Sequence, residues 1–155
     1  MSEPRWLTAE ERSSWLALTG LLTKLPGALD AQLARDSGLS FFEYMVLAML
    51  AEQPEETLRM TALADLTNGS LSRLSHVVQR LEGQGLVRRE TCAQDRRATN
   101  AILTPAGREK VEAAAPGHVA RVRTLVIDAV SPQELAAFGQ VGEQILGRVH
   151  EHRGS

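Results

Sequence analysis

The stretch of sequence that decides the fold is residues 70–89, SLSRLSHVVQRLEGQGLVRR. Its apolar residues recur every three or four positions, which predicts an amphipathic helix that Gly83 and Gly85 bring to an end. Residues 61–66, TALADL, predict a shorter helix before it, and residues 67–69, TNG, predict a tight turn between the two. Two helices joined by a tight, glycine-containing turn are typical of a helix-turn-helix. The inward positions of the second helix are Leu71, Leu74, Val78 and Leu81.

A β-hairpin is predicted directly after the second helix. The helical period ends there, and residues 86–91, LVRRET, and 99–104, TNAILT, predict two strands. The polar link between them carries Arg96 and Arg97 at its tip. A helix-turn-helix followed by a basic hairpin predicts a winged helix-turn-helix, which we assign to residues 40–104.

Two helices are predicted at the N-terminal side. Residues 8–11, TAEE, form a capping-box pattern that begins a helix, which Pro26 kinks and Gly38 ends. Residues 40–43, SFFE, repeat the pattern and begin a short helix, and residues 53–56, QPEE, predict a loop after it. The buried face of this short helix is predicted to consist of Phe42, Met45, Val46, Met49 and Leu50.

Two more helices are predicted after the hairpin. Thr104 followed by Pro105 is typical of a helix start. This helix is expected to run towards Val130, with a kink or local break at Pro116. Ser131, again followed by proline, begins the last helix.

The helices in residues 8–37 and 105–150 carry apolar stripes that the small core of a winged helix cannot cover. The same helices in a second copy of the chain can cover them, so we expect these segments to be the dimerisation helices of a homodimer. The predicted fold is mainly α: a single domain over residues 1–155, in which a winged helix-turn-helix with a two-stranded β-hairpin wing is flanked by N- and C-terminal dimerisation helices. The stripes consist of Leu18, Leu22, Leu25, Leu29 and Leu33 in the first helix and of Leu135, Phe138, Val141, Ile145, Leu146 and Val149 in the last.

The composition is that of one globular domain. The 155 residues are 43% apolar and 23% charged, and the aromatic share of 4% argues against an all-β fold. No apolar run approaches the roughly 20 residues of a membrane helix, and residues 1–7 lack the basic and apolar regions of a signal peptide, so we expect a cytoplasmic protein. The single cysteine, Cys92, excludes an intramolecular disulfide and a cysteine-based zinc cluster.

The net charge of −2 conceals an uneven distribution. Residues 68–100 contain six arginines and three acidic residues, whereas the rest of the chain is acidic. A basic segment inside an acidic chain suits a protein that meets phosphates with one surface only. The segment coincides with the predicted second helix and hairpin, so double-stranded DNA is the expected partner.

These residues resemble the MarR family (multiple antibiotic resistance regulators), and the resemblance covers nearly the whole chain. Residues 70–89 look like the family's recognition helix running into the first wing strand. Residues 95–107, DRRATNAILTPAG, match the family's wing pattern of Asp, any residue and Arg, followed by Leu-Thr and Gly. The resemblance implies a dimeric winged-helix transcriptional regulator, a repressor whose DNA affinity responds to a small ligand. It also implies that Arg97 is the wing arginine and Asp95 the acid that orients it.

The candidate DNA contacts lie on the outward face of the recognition helix and at the wing tip. Arg73 can make a forked bond to guanine in the major groove, and Arg96 and Arg97 suit a narrow minor groove. Asn68 either caps the helix or touches a phosphate, and Asp95 has the further role of a turn-forming residue. The full set consists of Asn68, Ser70, Ser72, Arg73, His76, Gln79, Arg80, Asp95, Arg96 and Arg97.

Two alternatives accompany this interpretation. The first is that the polar residues of the second helix are simply a solvated helix face. The same holds for one residue of the wing strand: Arg88 and Arg89 alternate across it, so at most one faces the duplex and the other is solvated. A winged helix that serves protein assembly instead of DNA binding is the alternative from another class of function. It predicts an apolar outward face, whereas this helix presents Arg73, His76, Gln79 and Arg80.

An effector site is a further expectation. Trp15, His118 and Arg121 are candidates to line a cavity for a small aromatic anion between the dimer helices and the winged helix, with ordinary interface packing as the alternative. Cys92 is interpreted as a bystander thiol rather than a redox sensor, because only two wing arginines lie near it in sequence. The sequence shows no nucleophile-base constellation, phosphate loop or carboxylate pair, so no enzyme activity, cofactor or metal is expected.

Overall fold

The computed structural model describes residues 3–154, and within this range the chain folds into helices around one small sheet. The predicted fold class, a mainly helical winged helix, is confirmed. The α-helices are α1 (Ala9–Ser37), α2 (Phe41–Ala51), α3 (Met60–Leu66), α4 (Leu71–Gly83), α5 (Pro105–Leu125) and α6 (Pro132–Glu151). The strands are β1 (Thr57–Arg59), β2 (Val87–Thr91) and β3 (Thr99–Leu103), and short 3-10 helices span Pro54–Glu56, Ile127–Ala129 and His152–Gly154.

The first and last helices begin as predicted from local sequence. Thr8 and Glu11 form the complete capping box at the start of α1, and Ser131 accepts a backbone N–H at the start of α6. Gly38 ends α1 with a φ of 67°, a left-handed conformation that glycine adopts without strain. Pro26 lies inside α1, and the helix continues beyond it.

Helix α2 differs from the prediction at its start and in the width of its buried face. Ser40 caps the helix, but only half of the predicted capping box forms, because the Glu43 carboxylate turns towards Arg80 instead of the cap backbone. Of the expected positions, Phe42, Val46 and Leu50 are buried, whereas Met45 and Met49 are only half-buried. Tyr44 and Leu47 are buried in addition. This helix packs against α1, α3, α4 and β3, so several of its sides face protein.

Helix α5 is continuous across Pro116, so the local break does not form there, and the other predicted outcome, a kink, stays a prediction. Ala114 and His118 are buried on either side of the proline and hold the helix against the protein, which offsets the missing backbone hydrogen bond. The helix ends at Leu125 and does not reach Val130.

The predicted hairpin is confirmed, and a third strand joins it. The sheet is antiparallel in the order β1-β3-β2, so β3 lies in the centre. Leu58 of β1 and Arg89 of β2 both lie opposite Ala101, which is fully buried. Strand β1 has three residues, too few to show a strand period, so the sequence predicts only a loop before α3.

The core lies where α2 and α4 pack against the sheet. Leu74, Val78 and Leu81 are fully buried, as predicted. The assignment of Leu71 to the same inward stripe was wrong: it is 49% exposed, because the first turn of α4 lies at the edge of the core. The largest other fully buried side chains are Leu33, Leu39, Val46, Leu47, Leu50, Leu63 and Val87.

The chain divides into two compact units, residues 1–118 and 119–155. The first contains α1, the winged helix and most of α5, and the second contains the end of α5 and α6. A single domain over residues 1–155 stays a prediction. None of the helices in residues 3–154 is long and apolar enough to cross a membrane. The predicted stripe of α1 was wrong in part: Leu29 and Leu33 are buried within this chain, because the end of α1 packs against α2, and only Leu22 of the stripe is exposed. The large apolar side chains that are exposed lie on α1 (Trp15, Leu16, Leu21, Leu22) and on α6 (Phe138, Val141, Ile145, Leu146, Val149).

Candidate nucleic-acid interface

The recognition helix α4 begins at a serine cap. Ser70 Oγ accepts the backbone N–H of Arg73 at 3.1 Å, which fixes the first turn. Asn68 is not the cap: it lies in the preceding turn with a φ of 54°, and its side chain is exposed. Asparagine tolerates this left-handed conformation better than most residues, so Asn68 shapes the turn. Its contact with a phosphate stays a prediction.

The outward face of α4 is polar and exposed, as predicted. The buried leucines and valine of α4 lie on the other side of the helix, so the outward residues project from the protein surface. Residues 71–81 contain no acidic side chain, so this face can approach phosphates without charge repulsion. The exposed residues are Ser72, Arg73, His76, Gln79 and Arg80.

Arg73 packs on an aromatic ring that is distant from it in sequence. Its guanidinium carbon lies 4.3 Å from the centre of the Phe42 ring. Phe42 is 8% exposed on α2, and Gly69 makes room for its ring, because a Cβ there would lie 2.6 Å from Phe42 Cζ. Such a cation-π contact is worth about 0.5–1 kcal/mol at an exposed site. It restricts the Arg73 side chain in the free protein.

Arg80 has a structural partner. Its Nη2 lies 3.5 Å from Oε1 of Glu43, whose side chain is 4% exposed while that of Arg80 is 69% exposed. A carboxylate this deeply buried needs a counter-charge, and Arg80 supplies it from the recognition helix. The predicted contact of Arg80 with the DNA backbone stays a prediction, and Glu43 competes for the same guanidinium.

The wing tip is built around Asp95. Its Oδ1 accepts the backbone N–H of Arg97 at 3.0 Å, and its carbonyl accepts the N–H of Ala98 at 3.0 Å. The structure therefore gives Asp95 the turn-forming role, and its contact with Arg97 is to the backbone rather than to the guanidinium. Arg96 and Arg97 are exposed at the tip, as predicted.

The two arginines of strand β2 are both paired with carboxylates. Arg88 pairs with Glu90 on the exposed side of the strand. Arg89 Nη2 lies 3.0 Å from Oε1 of Glu82 at the end of α4, and these bonds lower the pKa of the Glu82 carboxyl. Arg89 is thus half-buried and fixed. One of the two arginines was expected to be solvated. Arg88 meets this expectation, although it also pairs with Glu90, whereas Arg89 does not.

Cys92 lies at the base of the wing and is buried. Its Sγ donates to Oε1 of Gln94 at 3.3 Å and accepts from Nη2 of Arg59 at 3.8 Å. Hydrogen bonds from the backbone of Gln94 and Asp95, and then the Arg59 charge, lower the pKa of the thiol. The nearby cation is Arg59 rather than the β2 arginines considered from the sequence. The bystander role of Cys92 stays a prediction.

The three candidate effector residues lie in different surroundings. His118 is 7% exposed, and its ring packs on Phe41 and Tyr44 of α2, with centroid distances of 5.8 and 4.3 Å. Burial lowers the pKa of His118, and within residues 3–154 its Nδ1 has no hydrogen-bond partner. Trp15 is exposed on α1, and Arg121 is exposed in the second compact unit. A shared effector cavity therefore stays a prediction.

The fold and this surface define a winged-helix, DNA-binding transcriptional regulator. A protein-family model described as MarR family matches residues 37–98. The structure is similar to that of Sco3205, a MarR family transcriptional regulator from Streptomyces coelicolor in complex with DNA: the identity is 45%, the match covers 92% of this chain and 90% of that chain, and the TM-score is 0.88. It is also similar to AbsC, another MarR family transcriptional regulator from Streptomyces coelicolor, at 36% identity, with 96% and 99% of the two chains covered and a TM-score of 0.88.

A curated relative supports the same assignment. An uncharacterized HTH-type transcriptional regulator, YfiV of Bacillus subtilis (strain 168), is 29% identical over 147 residues, which cover 94% of this chain and 88% of the relative. The chain belongs to the MarR family of transcriptional regulators.

Proposed function

We propose that the protein is a homodimeric repressor that binds a pseudo-palindromic operator, with α4 in the major groove and the wing tip in the adjacent minor groove. The observation that carries the proposal is the exposed, carboxylate-free face of α4 in the same compact unit as the arginine-tipped wing. In this proposal Arg73 reads guanine and Arg96 and Arg97 enter the minor groove. The proposed contact set is the ten residues predicted from the sequence, Asn68 to Arg97.

The proposed homodimer explains the apolar surface of two helices. Each carries four or five large apolar side chains that are exposed in a single chain, whereas soluble monomers seldom expose contiguous apolar patches of this kind. A two-fold dimer presents two recognition helices, and these fit two half-sites when the helices lie one DNA turn, roughly 34 Å, apart. An operator with approximate two-fold symmetry follows from the symmetry of the protein.

The decisive experiment starts with selection of tight-binding duplexes from a random library. We expect the selected sequences to be approximate inverted repeats that bind two protomers per duplex. Arg73→Ala should reduce affinity for the selected operator by about 1–3 kcal/mol and leave the affinity for random-sequence duplex nearly unchanged. Selection without a consensus, or an Arg73→Ala variant with wild-type base preference, would favour the protein-assembly alternative.

Control by a small aromatic anion is the second part of the proposal. The supporting observation is the buried His118 beside two aromatic rings, on the helix that also carries Arg121. An effector acts only if it binds the two conformations of the dimer unequally. Operator binding measured with a panel of phenolic acids should weaken in the wild type and not in Arg121→Ala. No release by any acid would contradict this part and leave DNA binding untouched.

The proposal includes no catalytic activity, because the family consists of transcriptional regulators. A regulator of transcription works where the DNA is, and we therefore propose a cytoplasmic location. The expected partners are double-stranded DNA and a second copy of the chain.

A further inference from the structure

A cleft of about 250 Å³ lies between the wing and the recognition helix. The wing contributes Arg89 and Arg97, α4 contributes Leu71 and Ser75, and the first turn of α3 contributes Thr61. We call this space the wing cleft. Apart from Arg97, none of these residues belongs to the contact set predicted from the sequence.

The position of the wing cleft points to its occupant. If α4 enters the major groove and the wing tip enters the neighbouring minor groove, the sugar-phosphate backbone that separates the two grooves must cross the space between them. We propose that the wing cleft binds a backbone phosphate of the DNA, with the hydroxyls of Thr61 and Ser75 and the guanidinium of Arg89 as donors. This inference rests on the proposed function and adds three residues to its DNA contacts.

The charges around the wing cleft favour an anion. Arg59, Arg89 and Arg97 all line it, and within residues 3–154 only Arg89 pairs with a carboxylate, that of Glu82. The excess positive charge is what a phosphate neutralises. The guanidinium of Arg59 lies 3.8 Å from the sulfur of Cys92, so Arg59 contributes charge to the cleft and is not assigned as a donor.

The donors are already positioned. Arg89 donates through Nε and Nη2 to Oε1 of Glu82 at 3.3 and 3.0 Å, and its backbone N–H donates to Oε2 at 3.1 Å. This pairing fixes the side chain, cancels the Glu82 charge and leaves Nη1 for a ligand. Thr61 is exposed and Ser75 half-buried, so water or a phosphate oxygen can reach both hydroxyls. Glu82 is thus a positioning residue and Arg89 a phosphate donor.

A double variant, Thr61→Val with Ser75→Ala, removes both hydroxyls with little change in side-chain volume. We expect it to bind the selected operator and a random-sequence duplex at least about a hundredfold more weakly, since each of the two hydroxyls loses a hydrogen bond to a charged group. The ratio of the two affinities should not change, because a phosphate contact carries no sequence information. Thr91→Val, an exposed position of β2 that does not line the wing cleft, is the control and should bind as the wild type does.

A scan with methylphosphonate linkages identifies the contact itself. Each duplex carries one neutral linkage at a different position. At one position in each half-site, the neutral linkage should weaken binding of the wild type. It should not weaken binding of the Thr61→Val, Ser75→Ala variant, which has already lost that contact. Arg89→Gln should lose the effect at the same position and lower the slope of log affinity against log salt by about 0.9 for each wing. Wild-type affinity in the double variant, or an unchanged methylphosphonate profile, would overturn the proposal.

Inorganic pyrophosphate separates DNA phosphate from a free anion. If pyrophosphate raises the melting temperature of the wild type but not of the double variant, and the two bind DNA equally well, the cleft holds a free anion and the DNA assignment is overturned. A wild-type protein that binds neither duplex would refute the proposed function together with this inference. Strong wild-type binding with an unaffected double variant would refute the inference alone.

Discussion

Replacing Phe42 with leucine tests whether Arg73 is oriented before DNA binds. The substitution keeps an apolar side chain at a position that is 8% exposed and removes the ring that lies 4.3 Å from the Arg73 guanidinium. The lost cation-π contact is worth about 0.5–1 kcal/mol, which corresponds to roughly two- to fivefold weaker binding for each of the two half-sites of the operator. Affinity for random-sequence duplex should stay constant, because Arg73 is proposed to contact a base.

The assay is a double-mutant cycle measured by fluorescence anisotropy at one fixed salt concentration. Arg73→Ala alone removes the base contact, so adding Phe42→Leu to it should weaken operator binding no further. Leu50→Val is the matched control: it truncates a fully buried residue of the same helix away from Arg73 and should lower stability without lowering operator affinity. Urea unfolding establishes that each variant is folded at the assay temperature.

Two results would refute this reasoning. Equal losses on operator and random-sequence duplex would mean that Phe42→Leu damages the whole DNA-binding surface rather than one base contact. Additive losses in the double variant would mean that Phe42 and Arg73 act independently, so that the ring does not orient the guanidinium.

Three further predictions concern charges at the surface and in the core. Arg80→Ala should lower the free energy of unfolding, measured by urea denaturation, by about 1–2 kcal/mol, because Glu43 loses its counter-charge. Adding Glu43→Gln to Arg80→Ala should recover part of this stability, and a double variant that recovers none would contradict the pairing. Arg96→Ala with Arg97→Ala should weaken binding to every duplex and lower the salt slope by roughly 1 to 2 per wing, and an unchanged slope would place the wing in solvent. Burial lowers the pKa of His118, so the unfolded chain binds a proton at higher pH than the folded chain does, and stability should fall as the pH drops below about 6.5. His118→Phe should flatten this part of the stability profile, and a profile that keeps its slope would assign the effect to another group.

The parts of the fold that the sequence predicted are those set by neighbouring residues. A capping box needs only Thr8 and Glu11, and a helix end needs only Gly38, so both are visible over a few positions. The hairpin is similar, because two alternating strands flank a short polar link. Strand β1 is different, since its three residues become a strand only by pairing with β3.

Two of the differences from the prediction arose where a residue's partner is distant in sequence. Ser40 looked like a complete capping box, but Glu43 is drawn to Arg80, 37 positions further along the chain. The same applies to Cys92, which follows β2 and whose neighbouring cation is Arg59 of strand β1. A spacing rule cannot detect such pairs, because burial decides which charges must meet, and burial is a property of the packed chain.

The DNA-binding surface combines both kinds of residue, and this explains why only part of it was predictable. The periodicity of α4 places Arg73 on its outward face, and Arg96 and Arg97 lie in the polar link at the tip of the hairpin. The sequence alone therefore predicts that all three are exposed. Arg89 faces the core side of its strand, where Leu58 and Ala101 also lie, and a sequence pattern assigns that side to apolar residues. It becomes a candidate phosphate donor only because α4 ends with Glu82 beside β2 and holds the guanidinium at the edge of the wing cleft. The predictable residues are therefore those proposed to read or enter the grooves, while the proposed phosphate donor depends on how helix and wing pack.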